Sequence, residues 1–163
     1  MDRTAVISQL RARGWTVKEG AESSFQLPAA IAARYPNLPT TLLKFLSGLA
    51  ECIDGTETIW FLCQSDYEGT SESAFRWDAW EQLSLEAAEG DPAWIAEIRR
   101  FWDHHFPFLL SVKDGYAYYA VCTAEDRFGQ IVEGREPEFE GTSPVADSFK
   151  DFLAKLGADE IPN

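Results

Sequence analysis

The sequence predicts an α+β fold, a single domain in which a mixed, mostly antiparallel sheet is flanked by helices. Three observations carry this expectation. Apolar residues recur at helical spacing from Trp94 to Trp102 and from Val145 to Leu156; they alternate with period two, between short turns, from Phe106 to Val132; and the chain shows no repeat or Pro/Gly-rich linker. A chain of 163 residues, 45% hydrophobic with six Trp, five Tyr and eleven Phe, has enough material for one core.

Asp2 is placed to cap a first helix, peripheral to the core, with Val6, Ile7 and Leu10 on one face and Gly14 at its end. Residues 15–18 and 24–27 have strand character, and Leu27-Pro28 opens a helical turn through Ala33. Leu38-Pro39 starts a clearer helix, because proline at the first helical position gives up no hydrogen bond; Leu42, Leu43, Phe45 and Leu46 follow before Gly48. After a polar turn at 54–57, the run Thr58-Ile59-Trp60-Phe61-Leu62-Cys63 is continuous, β-prone and about as long as a central strand, so it is expected to be covered on both faces.

Residues 64–76 are polar, contain Gly69 and are expected to form a loop, with a helix over 77–89. Asp91-Pro92 supplies an N-cap and a first-turn proline to the next helix, whose stripe is Trp94, Ile95, Ile98, Phe101 and Trp102. From Phe106 the period becomes two: Phe106, Phe108, Leu110 and Val112 alternate, Lys113-Asp114-Gly115 turns the chain, and Tyr116 to Val121 returns as a hairpin. Gln130-Ile131-Val132 continues the meander, and Glu138 to Glu140 offers a fourth short strand. Ser143-Pro144 is expected to start the last helix, with Val145, Phe149, Phe152, Leu153 and Leu156 on one face and Gly157 at its end. The core is expected over 38–156, with 1–37 a helix and extension.

The formal net charge is −13, and it is unevenly placed. Residues 1–65 hold six acidic and six basic side chains; residues 66–163 hold 21 acidic against 8 basic. A field of one sign attracts oppositely charged partners and repels phosphates, so a basic protein partner is expected and nucleic acid is not. No apolar stretch approaches the roughly 20 residues that cross a bilayer, and Met1-Asp2-Arg3-Thr4 lacks the order of a signal peptide, so the expected address is cytoplasmic, without membrane contact.

Residue types that carry chemistry are sparse. Cys52, Cys63 and Cys122 lie far apart in apolar surroundings and read as reduced core residues. His104 and His105 are adjacent, so a regular element points them to different faces and no single metal is held; a helix C-terminus there would favour imidazolium. There is no Gly-x-Ser-x-Gly elbow and no phosphate-cradling glycine loop, and no cofactor is expected. Trp77, Trp80, Trp94 and Trp102 sit at helical spacing as core residues, while alternation sends Tyr116 and Tyr118 to one face and Tyr119 to the other, one of which is expected to be wet.

What stands out is acidic. Glu133, Glu136, Glu138 and Glu140 form the densest run, and their spacing reads as the solvated edge of a strand. Together with Asp66, Glu68 and Glu72 of the polar loop they are the candidate partner-binding residues. The alternative from another class is a carboxylate-dependent hydrolase, which needs only two acidic groups at a defined separation.

Leu38-Pro39-x-x-Leu42-Leu43-x-Phe45-Leu46, the strand Trp60-Phe61-Leu62, Phe106-Pro107-Phe108, Asp114-Gly115-Tyr116, Gly129-Gln130-Ile131-Val132 and Ser148-Phe149-x-x-Phe152-Leu153 follow one another in a familiar order. Over residues 38–156 this resembles the SUKH superfamily, the domain named for a fungal cell-wall-synthesis regulator and widespread in bacteria. The chain departs from that pattern in Ser47-Gly48, in the short Asp114-Gly115 turn and in the long helical insertion from Trp77 to Trp102. The resemblance implies a mixed sheet flanked by helices, no catalytic residues to carry over, and a role as an immunity protein that neutralises a toxin; the acidic charge adds the expectation that the toxin domain has a basic, nuclease-like surface. A regulatory or scaffolding adaptor of the same fold is the alternative.

Overall fold

In the computed structural model, residues 2–20 and 25–161 are described. Alternating apolar residues joined by short turns pair with their nearest neighbours in the chain. The strands β1 (Thr16–Glu19), β2 (Leu49–Ile53), β3 (Ile59–Phe61), β4 (His105–Ser111), β5 (Ala117–Cys122), β6 (Ile131–Arg135) and β7 (Ser143–Ala146) make one sheet in chain order. Every neighbouring pair is antiparallel, as the short connections of β2–β3, β4–β5, β5–β6 and β6–β7 require; β1–β2 and β3–β4 are joined through helices instead. The helices are α1 (Arg3–Ala12), α2 (Ala29–Arg34), α3 (Thr40–Leu46), α4 (Gln64–Glu68), α5 (Ala79–Ala87), α6 (Pro92–Asp103) and α7 (Phe149–Gly157).

Residues directly opposite across a ladder share a face, and their chain neighbours take the other. Leu109 is opposite Tyr119 and Leu110 opposite Tyr118. Tyr119 meets Phe152 of α7 at 5.3 Å, and Phe45 of α3 reaches Phe61 and Phe149 at 5.1 and 5.6 Å, so α3 and α7 cover the first face, with α1 against α7. On the second face Tyr118 meets Trp102 of α6 at 4.7 Å, and Trp80 of α5 donates its indole N–H to the Ala117 carbonyl at 2.9 Å. All of β4 and β5 is buried in consequence. Neither face at the tyrosines is wet: Tyr118 and Tyr119 are both buried, and Tyr116 stacks on Trp80 at 4.4 Å.

Several elements differ from expectation for identifiable reasons. α1 belongs to the core, burying Val6, Ile7 and Leu10, and Arg13 just beyond it donates to the Leu156 carbonyl and pairs with Asp159. Phe25 to Leu27 are not a strand, and Ser24 lies outside the described residues. β2 was not legible, because Gly48, at φ +77°, turns the chain from α3 directly into it. Residues 64–76 open with a helix, α4, where the Cys63 amide donates to Asp66 Oδ2 at 2.7 Å and Gly69, at φ +73°, stops the turn.

The expected last helix divides. Ser143 to Ala146 are the edge strand β7, where Pro144 lacks only a donor that an edge can spare; α7 starts later, with Ser148 Oγ accepting the Asp151 amide at 3.1 Å. Glu138 to Glu140 are not a strand but a turn, closed by Gly141 N donating to the Glu138 carbonyl at 3.0 Å and anchored by buried Phe139.

Candidate docking groove

β2 and β3 share a single registered pair, Ile53 opposite Trp60, although β2 pairs with β1 along its length. The thiol of Cys63, just past β3, donates to the Phe61 carbonyl at 3.7 Å, and burial pushes that thiol up to about 12. Cys63, like Cys52 and Cys122, is buried and free. The turn from β2 into β3 is held by Asp54, whose Oδ1 accepts the Thr58 and Ile59 amides at 2.8 and 2.9 Å. Burial pushes the Asp54 carboxyl up, but the bonds from Thr56, Ile59 and Thr58 outweigh it and hold the group below the usual range.

Alongside this junction runs an open groove of about 560 Å³ between the sheet and residues 70–75. Its apolar part includes Trp60 and Phe75, stacked at 5.9 Å, with Phe61 and Val112. Four carboxylates line it, Glu51, Glu57, Asp66 and Glu72, with the hydroxyls of Ser65, Thr70, Ser71 and Ser73; no described lysine, arginine or histidine lines it, although Lys18 of β1 pairs with Glu51 at 2.9 Å. The Trp60 indole N–H has no partner among the described residues. Such a groove suits a cationic occupant, and it repels phosphate.

Asp66 is 8% exposed. Burial holds its carboxyl above the ordinary range, against the bonds it accepts from the Cys63 amide and the Ser71 side chain. A carboxyl raised in this way binds its proton more tightly in the folded state, so stability falls as pH rises through the raised value, and the cost vanishes below the ordinary pKa. Asp66→Asn is therefore expected to be more stable than wild type at about pH 7 and to lose that margin at about pH 3. Urea denaturation at both pH values measures it, and a margin independent of pH would refute it.

The candidate acidic residues do not converge. Asp66 and Glu72 line this groove; Glu68 lies next to it, accepting from Gln64 Nε2 at 2.7 Å and bordering a neighbouring pocket with Asp66. Glu133 pairs with Arg135 at 2.6 Å and sits inside the sheet, because β7 covers the edge that β6 was expected to present. Glu136 accepts the Tyr116 amide at 3.1 Å, closing the hairpin turn. Glu138 and Glu140 border a second pocket of about 310 Å³ with Leu83, Ala87, Trp94 and Phe139. Glu140 is half-buried, and its Oε2 accepts both Ser84 Oγ at 2.8 Å and Trp102 Nε1 at 3.1 Å. Burial raises its carboxyl despite those bonds.

Glu51 and Glu57 were hidden by the neutral balance of the first 65 residues. Trp94, expected in the core, is 45% exposed. It lies in the first turn of α6, where its amide binds the Asp91 cap at 3.1 Å, while Ile98 and Trp102 do the burying. His105 is not an imidazolium at a helix end but a buried ring stacked 3.9 Å from Phe101, with Nδ1 2.7 Å from the Phe101 carbonyl; burial lowers its pKa.

Among the described residues no cluster of His, Cys, Asp and Glu is disposed to hold a metal ion, and no helix is long and apolar enough to cross a membrane. Comparison with protein-family models, curated proteins and solved structures gives no match.

Proposed function

We propose that this chain is a non-enzymatic, SUKH-like immunity protein that works in the cytoplasm by binding a toxin domain with a basic, nuclease-like surface. The observation that supports this most is the groove beside β2 and β3, where an aromatic floor is joined by four carboxylates, of which, among the described residues, only Glu51 has a basic partner, Lys18. A nuclease must present positive charge to hold its own substrate, and a negative groove captures that surface while competing with the phosphate backbone. The net charge of −13 adds long-range steering, which speeds encounter at low salt.

The test is binding to the toxin domain encoded immediately upstream, measured by calorimetry at low and high salt. Affinity is expected to fall at least about tenfold on going from about 50 to 500 mM salt, and a further tenfold in the triple variant Glu51→Gln, Glu57→Gln, Glu72→Gln. Equal affinity under both salts and in the variant would sink the proposal.

A further inference from the structure

A second place on the surface combines exposed apolar area with a carboxylate left half unbonded. Among the described residues three large hydrophobic side chains are exposed, and two of them, Leu83 at 37% and Trp94 at 45%, border the same pocket beside the 137–141 turn. Glu138 and Glu140 are its ionisable residues. Both hydrogen bonds to Glu140 fall on Oε2, so Oε1 accepts none among the described residues. At about 310 Å³ the pocket is at the small end for ligands and matches a side chain better than a cofactor.

We infer that this pocket receives one arginine or lysine side chain of a protein partner, its stem on Leu83 and Ala87 and its charge between the Trp94 ring and Glu140. The chemistry selects that occupant. A long side chain with an apolar stem and a cationic head satisfies both halves of the lining. An indole face attracts a cation, and a carboxylate with a free oxygen gives it a charge-assisted hydrogen bond. A neutral apolar side chain would strip water from Glu140 and return nothing, and an anion is repelled. The inference rests on the basic partner proposed above only for where the cation comes from.

Trp102 is a built-in reporter, since its indole N–H binds the same carboxylate. The experiment titrates the ¹⁵N-labelled protein with the peptide acetyl-Gly-Arg-Gly-amide and, separately, with its neutral citrulline counterpart. Saturable shifts of the Trp94 and Trp102 indole signals are expected with arginine and none with citrulline. Affinity should drop about tenfold in Glu140→Gln, which keeps an acceptor for Ser84 and Trp102, and about fivefold in Trp94→Ala, whose exposed ring is not needed for folding. No shift, equal shifts with both peptides, or a shift confined to Trp60 of the first groove would overturn the inference. None of those outcomes touches the salt-dependent capture of the toxin domain, which is measured separately.

Discussion

Gly134→Ala is expected to destabilise the protein by about 3 kcal/mol, the upper part of the usual range for overpacking a well-packed core. The position is not one of unusual backbone; the cost is steric. A Cβ at Gly134 would lie 2.4 Å from Tyr118 Cε1 and 2.5 Å from its hydroxyl, inside any permissible contact. The ring has nowhere to go. Tyr118 is fully buried, its hydroxyl donates to the Phe139 carbonyl at 2.5 Å, and its other neighbour is Trp102 at 4.7 Å. Gly134 is its partner across the ladder, so the ring lies over the glycine backbone. The double variant Gly134→Ala, Tyr118→Ala separates this account from a simple loss of strand quality. Removing the ring should abolish the penalty of the added methyl, leaving strong coupling in a double-mutant cycle. Additive effects in thermal or urea unfolding would show the clash to be unimportant.

Arg34→Ala is expected to cost about 3 kcal/mol, the low end for breaking a buried ion pair because the guanidinium retains some solvent. Arg34 donates to both oxygens of Glu81 at 2.6 and 2.9 Å and through Nε to Asp103 at 2.8 Å. Glu81 is 4% exposed. Without its partner that carboxylate has lost its water and its counter-charge together, whereas Asp103, more than half exposed, is rehydrated. Arg34→Ala with Glu81→Leu should therefore recover a large part of the loss, since a buried pair is replaced without an orphaned charge. If the double variant is less stable than Arg34→Ala alone, the burial argument fails. The pair ties α2 to α5 through two residues 47 positions apart in sequence.

The helices and strands that are legible in the sequence are those whose pattern meets one kind of environment. α6 and the hairpin of β4 and β5 are of this sort: one stripe faces a sheet, or a continuous apolar run is covered twice. β7 was misread because Ser-Pro serves equally as a helix start and as the beginning of an edge strand, and only the empty side of β6 decides between them. The acidic candidates are dispersed over the surface for a related reason. Spacing by two implies one face of a strand, but the chain leaves β6 at Arg135, and each later glutamate meets a different neighbour: the Tyr116 amide for Glu136, Ser84 and Trp102 for Glu140. The groove beside β2 was only half legible, through Asp66 and Glu72, because the rest of its rim comes from a strand whose composition announces nothing.

A sheet laid down in chain order has a consequence for how the molecule is made. Each strand from β2 to β7 docks on the one before it, so during synthesis every new strand finds its partner already present and closes a loop no longer than the intervening segment. Two large loops have to be closed, the segment with α2 and α3 between β1 and β2 and the longer insertion of α4, α5 and α6 between β3 and β4. On the first face Phe61 is met early by Phe45 of α3, but Phe108 and Tyr119 stay uncovered on that side until α7 delivers Phe149 and Phe152. A nascent chain halted before Ser148 is thus a meander whose first face is covered at β3 and open at β4 and β5, and the docking of α7 is the event that seals it.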